Sequence, residues 1–105
     1  MKPRVSVVVP SLDDRELLNR SLPPLLAECS HASVPTEVLV VDDTGGSELA
    51  AWLAAQHSRV QCLASPANQG FGAAALAGVE RAGGELVFLM NPDVVVRDGF
   101  LEPLV

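Results

Sequence analysis

Asp42 and Asp43 follow an unbroken apolar run, and Asn91 and Asp93 flank Pro92 where another such run ends, in the stretch LVFLMNPDVVV. Carboxylate and amide oxygens are hard ligands suited to Mg2+ or Mn2+, and Mg2+ typically takes one or two protein carboxylates alongside phosphate oxygens. Asp93, with or without Asn91, fits that sparse role. A diphosphate brings negative charge, and a chain with so few lysines and arginines needs a divalent cation to offset it. Asn, Pro and Asp are also ordinary turn residues, as is Asp43 ahead of Gly45, so a plain turn stands beside the chemical reading.

The elements around these residues decide between the two. Residues 5–9, VSVVV, form a β-branched run ended by Pro10, which cannot donate to a sheet and so suits a strand terminus. Asp13 stands three residues before Glu16, the spacing of a capping box, ahead of a helical stripe at Leu18, Leu22, Leu25, Leu26 and Cys29. Pro23 and Pro24 inside that stripe imply a kink, or a second helix capped by Ser21. Residues 38–41 form the second strand, which stops at Asp42 and Asp43. Ser47 then caps a helix whose Leu49, Trp52 and Leu53 share a face, making Trp52 a core residue. A short third strand covers 60–63. A helix from about Gly70 to Ala82 follows, with Phe71, Ala75, Gly78, Val79 and Ala82 inward, and Gly83-Gly84 ends it in the left-handed conformation. The fourth strand, 86–90, is apolar at every position, as a strand covered on both faces is.

This alternation predicts an α/β protein, a three-layer α/β/α arrangement around a mostly parallel sheet with right-handed crossovers. The 105 residues form a single domain, short for a doubly wound sheet and expected to be incomplete after four strands. In a parallel sheet the ends of the first, second and fourth strands lie at one edge, and ligands bind outside the carboxyl ends of such strands. Carboxylates gathered there repel one another, an arrangement easier to sustain if a cation or hydrogen-bond donors arrive.

Composition removes several alternatives. Thirteen acidic residues against seven basic ones give a net charge of −6, which repels a phosphate backbone and argues against nucleic acid. Hydrophobic residues make up 49% of the chain without an apolar run long enough to span a membrane, and the start Met1-Lys2-Pro3-Arg4 does not read as a signal peptide; the expectation is a cytoplasmic protein. Cys29 and Cys62 lack paired spacing and read as buried free thiols, and His31 and His57 as surface residues. Gly70, Gly72 and Ala75 fit the dinucleotide pattern G-x-G-x-x-[G/A], but the first βα turn, where that pattern belongs, reads PSLDDRE. Close packing of small residues on the sheet explains the same glycines and alanines.

The order VSVVVP, EVLVVDDTGGS, NQGFGAAALAGVERAGGELVFLMNPDVVV resembles the N-terminal, nucleotide-sugar-binding half of family 2 glycosyltransferases, which have the GT-A, Rossmann-like fold. NPD in place of the commoner Asp-x-Asp is similar to the rhamnosyltransferase-like branch. The resemblance implies that Pro10, Ser11 and Asp13 shape the base pocket and that Asp42 and Asp43 lie by the nucleoside, one of them binding base or ribose. It further implies that Asn68, Gly70 and Phe71 help close the site, that Asn91 orients, and that Asp93 holds Mg2+ or Mn2+ on the diphosphate of a UDP- or dTDP-linked sugar. The implied acceptor is a glycan or a lipid-linked molecule used in cell-surface polysaccharide synthesis, with peripheral association at the inner face of the membrane. The family continues well beyond this length with its acceptor site and general base, so the catalytic base is expected outside this chain and the piece alone is expected to be inactive. Alternatives are a non-catalytic nucleotide-binding or interaction module, self-associating through an uncovered sheet edge, and an NAD-type dinucleotide domain.

Overall fold

Strand β1 (Val5–Ser11) is buried at every position, and the sheet is built around it. The computed structural model describes residues 3–65 and 69–104. Helix α1 (Arg15–His31), strand β2 (Thr36–Asp42), helix α2 (Glu48–Gln56), strand β3 (Gln61–Ala64), helix α3 (Phe71–Arg81) and strand β4 (Leu86–Leu89) follow, with a single 3-10 turn at Glu102–Leu104. The strands are all parallel in the order β3-β2-β1-β4. The chain winds outward from β1 to β3, then returns across the sheet to place β4 on the other side of β1. Right-handed crossovers then require α1 and α2 on one face and α3 on the other. The packing agrees: Leu18, Leu22, Leu25, Leu49 and Leu53 share a cluster with Val5, Val7, Val9, Val38 and Val40, whereas Ala74 packs with Val8, Leu39 and Val41.

Several elements depart from their expected form, each for a physical reason. Helix α1 runs uninterrupted through Pro23 and Pro24. The prolines leave the carbonyls of Asn19 and Arg20 without their helical donors, and both residues are exposed to water. Meanwhile Leu18, Leu22, Leu25 and Cys29 bury the other side. The capping box at Asp13 does not form, since Asp14 is the N-cap and makes no side-chain cap bond. Ser47 is the N-cap of α2, also without a side-chain bond. On α3 the buried residues are Ala74, Ala75 and Gly78, while Phe71 and Val79 are 57% and 38% exposed. The helix lies so close to β1 and β2 that only small side chains fit beneath it. Its end is set at Ala82 in an extended conformation, and neither Gly83 nor Gly84 has positive φ. Gly84 is instead required by proximity: a Cβ there would lie 2.6 Å from Ser6 Oγ and 2.7 Å from Ser6 N.

Both cysteines are free, Cys29 buried and Cys62 half-buried. His31 is exposed, but His57 is half-buried edge-on against Trp52, with ring centroids 5.2 Å apart and its pKa lowered by burial. Trp52 itself is half-buried against the α1/α2 core. After β4 the chain returns to α1, where Glu28 accepts hydrogen bonds from the Gly99 and Leu101 N–H groups (3.0 and 3.2 Å) and Leu101 enters the core. Those two N–H groups hold the Glu28 carboxyl below its ordinary pKa.

Pro10 does not end β1; the strand continues to Ser11, opposite Asp42. The Val8 carbonyl accepts from the Met90 N–H (2.9 Å), and the Ser11 carbonyl from the Asp43 N–H (2.9 Å). Backbone groups of β1 therefore alternate between its neighbours, and Pro10, of the same parity as Val8, presents its missing N–H to β4. Pairing with β2 is unaffected. Pairing with β4 ends at Val8 opposite Leu89.

Candidate functional site

Where β4 leaves β1, at the carboxyl edge of the sheet, lies a cavity of about 300 Å3. This is also the point where the strand order reverses, the usual ligand position in open α/β sheets. Pro10, Ser11, Leu12 and Asp14 line it from the end of β1, and Asp43 from the end of β2. Gly70, Phe71 and Ala74 contribute the start of α3, and Asn91, Pro92 and Asp93 the turn after β4. No lysine, arginine or histidine is among these described lining residues.

The walls are held by the protein's own donors. The Asp43 carboxylate accepts from the Gln69 N–H on Oδ1 (3.0 Å) and from the Gly70 N–H on Oδ2 (2.9 Å), tying the end of β2 to the loop before α3. The Ser65 side chain is a further donor. These bonds, that from Gln69 foremost, keep the Asp43 carboxyl below the ordinary carboxylate range despite its burial. Gly70 caps α3 at φ 95, ψ 167, a conformation open essentially only to glycine. Because the folded pKa of Asp43 is depressed, its contribution to stability is present above the unfolded value and is lost as pH falls through the lowered one. Thermal unfolding followed from about pH 5 to pH 2 is therefore expected to show a larger acid loss of Tm for the wild type than for Asp43→Asn. Equal losses would mean that the tether is already broken in solution.

The other polar residues singled out from sequence are distributed unevenly. Asn91 and Asp93 are exposed at the cavity mouth, and Pro10 and Ser11 are buried in its floor. Asp13 points away from this cavity and pairs with Arg15, Oδ1 to Nε at 2.9 Å. Asp42 turns to the α1/α2 face, fully buried, where Oδ1 accepts from the Thr44 N–H (2.9 Å) and hydroxyl (2.6 Å). Its Oδ2 is buried without a partner among the described residues, and its charge, second to burial, pushes the nearby Cys62 thiol up. Asn68 lies outside the described residues. Leu12, Asp14 and Ala74 line the cavity without having been singled out. Asp14 carries the one legible signal, a polar residue between the strand end and the helix start.

The donor set at the mouth suits a hard cation: a free carboxylate and an amide oxygen opening on a space without basic side chains. Among the described residues no group of three or more His, Cys, Asp or Glu converges on a metal site, and a Mg2+ shared with phosphates does not need one. Gly70 and Gly72 belong to the loop and helix after β3 rather than to the first βα turn, where a dinucleotide fingerprint sits. No helix among the described residues is long and apolar enough to cross a membrane.

Comparison with known proteins adds the family context. The family model described as "Glycosyl transferase family 2" matches residues 6–105. The undecaprenyl-phosphate 4-deoxy-4-formamido-L-arabinose transferase of Pseudomonas savastanoi pv. phaseolicola (strain 1448A / Race 6) is 32% identical over 94 residues, covering 86% of this chain and 28% of that protein. The crystal structure of S. aureus TarS 1-349 superposes with a TM-score of 0.77 at 20% identity, covering 96% of this chain and 31% of that one. TarS 1-349 in complex with UDP-GlcNAc gives 0.75 at 21% identity, over 96% of this chain and 30% of that one. The chain thus spans less than a third of the length of these relatives.

Proposed function

The chain belongs to glycosyl transferase family 2, and from that premise we propose that it forms the donor-binding portion of a sugar transferase. The observation that carries the reading is the cavity at the β1/β4 reversal, with Asp93 and Asn91 at its mouth and no basic residue in its described lining. The donor is a nucleoside-diphosphate sugar, UDP- or dTDP-linked; TarS complexes with UDP and with UDP-GlcNAc exist on the same fold. The acceptor is a glycan or lipid-linked molecule, in keeping with the undecaprenyl-phosphate relative. The protein works in the cytoplasm, peripheral to the inner face of the membrane.

Each group of residues has a separate task. Pro10, Ser11, Leu12 and Phe71 give the nucleoside a largely apolar bed. Asp43 fixes the loop that frames it. Asp93 would hold Mg2+ or Mn2+ with Asn91 orienting beside it, and the cation would stabilise charge on the departing diphosphate. The acceptor hydroxyl must also lose a proton to a positioned base. That base is supplied from outside residues 1–105, so this chain binds donor and turns it over little.

Calorimetric titration with UDP and dTDP, with Mn2+ and with chelator, tests the reading. Binding of either nucleotide that requires the metal is expected. If neither binds under any condition, the donor reading falls and a role as an interaction module replaces it.

A further inference from the structure

We infer that Glu28, on α1 and outside the cleft, is a positioning residue for the cation at Asp93, because it fixes the register of the strap that follows the Asp93 turn. The inference deepens the donor-binding reading and rests on it. Asp93 stands on a turn that is closed on itself and tied to little else. The Val94 N–H donates to the Asn91 carbonyl (3.1 Å), and just before the turn the Met90 N–H makes the last bond to β1. From Asn91 to Asp98 no hydrogen bond reaches another element among the described residues, and Asn91, Asp93, Val94, Val95, Arg97 and Asp98 are exposed. Farther on, Val96, Phe100 and the buried Leu101 pack on the α1/α2 core. Apolar contact is non-directional: it resists lifting of the strap but not sliding along it.

Glu28 supplies the direction. Its Oε2 accepts from the Gly99 N–H at 3.0 Å and its Oε1 from the Leu101 N–H at 3.2 Å, so each carboxylate oxygen grips the strap. The same bonds, that from Gly99 foremost, hold the carboxyl below its ordinary pKa, which keeps it ionised and accepting only. The strap reverses between them, through a turn closed by the Phe100 N–H on the Arg97 carbonyl (3.2 Å), with Gly99 at φ 81. A slip of one residue breaks both bonds to Glu28. In extended chain it moves Asp93 by up to about 3.5 Å, against the roughly 0.2 Å that a coordination bond tolerates. Without the clamp the turn holds Asp93 in place for only a fraction of the time, and the apparent cation affinity falls by that fraction.

A second staple on the same strap provides a control. Glu102 accepts from the Ser33 N–H (2.9 Å) and from the Ser33 hydroxyl. It lies beyond the buried Leu101, so loosening it does not reach the turn.

The test is calorimetry of UDP on the full chain, with Mn2+ and in chelator, for wild type, Glu28→Ala, Gly99→Ala, Glu102→Ala, Asp93→Ala and the doubly substituted Glu28→Ala/Asp93→Ala. The gain in UDP affinity that Mn2+ confers is expected to shrink about two- to thirty-fold in Glu28→Ala. Gly99→Ala, where a Cβ has room but the positive φ strains it, is expected to shrink the gain likewise from the strap side. Glu102→Ala keeps the wild-type gain, and affinity in chelator is the same throughout. In the Asp93→Ala background, Glu28→Ala is expected to change nothing further, a non-additivity that lost stability alone does not produce. If Glu28→Ala does not fold, Glu28→Gln, which keeps one acceptor oxygen, is read in its place with a smaller loss. Without ligand, amide exchange at Val94 is expected to quicken in the Glu28 variant while the β1 amides stay protected. The inference is overturned if Glu28→Ala keeps the full Mn2+ gain, if Glu102→Ala loses as much of it, or if Glu28→Ala weakens UDP equally with and without Asp93. A wild type that binds no UDP, or binds it equally with and without Mn2+, overturns the donor-binding reading instead.

Discussion

Asp93→Ala is expected to bind UDP no more tightly with Mn2+ than in chelator. The residue stands on the turn after β4, exposed at the cavity mouth. A diphosphate entering this cleft meets no basic side chain among the described lining residues and approaches a protein of net charge −6. Metal charge is then the main attraction available to it. Loss of an outer-shell partner typically costs a metal site 10- to 100-fold, so removal of the ligand itself should cost at least about 100-fold in the metal-dependent affinity. Because Asp93 is exposed, the substitution should leave stability within about 0.5 kcal/mol, and circular dichroism can confirm an intact fold. Retention of the Mn2+ effect in the variant would place the cation elsewhere and remove the proposed role of Asp93.

The second large effect concerns stability and lies further along α3, the helix whose first turn lines the cavity. A Cβ at Gly78 would stand 2.3 Å from Val8 Cγ1 and 2.8 Å from Val41 Cγ2. Both valines are fully buried on the two central strands. Alanine in a helix interior is intrinsically favoured over glycine by about 1 kcal/mol. Overpacking a tight core typically costs about 1–3 kcal/mol, and here backbone must move because the valines have no free space to enter. Gly78→Ala is therefore expected to be net destabilising by about 1–2 kcal/mol in urea unfolding, and Gly78→Leu to yield no folded protein. Gly72 provides the contrast on the same helix, since a Cβ there meets nothing within 4 Å. Gly72→Ala should be neutral or stabilising by up to about 1 kcal/mol. Destabilisation of both by the same amount would mean that contact with β1 and β2 is not what requires Gly78.

The strand and helix order was readable because each apolar run stops at a polar or glycine-rich turn, and because β1 is buried over its length and β2 from Val38 to Asp42. What periodicity misjudged was the inward face of α3. Hydrophobic pattern gives weight to Phe71 and Val79, whereas a helix lying against two strands selects for smallness and buries Ala74, Ala75 and Gly78. Gly83 and Gly84 look alike in sequence to a left-handed helix stop; only the approach of Ser6 shows that Gly84 is there for space. At the cleft, the strand-end rule brought Pro10, Ser11, Asp43, Asn91 and Asp93 together. It could not separate Asp42 from Asp43, or Asp13 from Asp14, because neighbouring residues on a strand end or loop point to opposite sides, and two adjacent aspartates give no sign of which is which. Asp42 follows the parity of Val38 and Val40 into the α1/α2 face, and Asp13 is drawn outward by Arg15.

Pro10 shapes the cleft by what it lacks. A gap between two strands held open by a charged pair or a swinging loop would widen and narrow with acidity, salt or occupancy. The gap between β1 and β4 begins where a hydrogen atom is missing from the backbone, so the strands have no next rung to close, whatever the solution. The opening of the cleft is in this respect written into the covalent chain, and a ligand entering it need not spend binding energy on prising that rung apart.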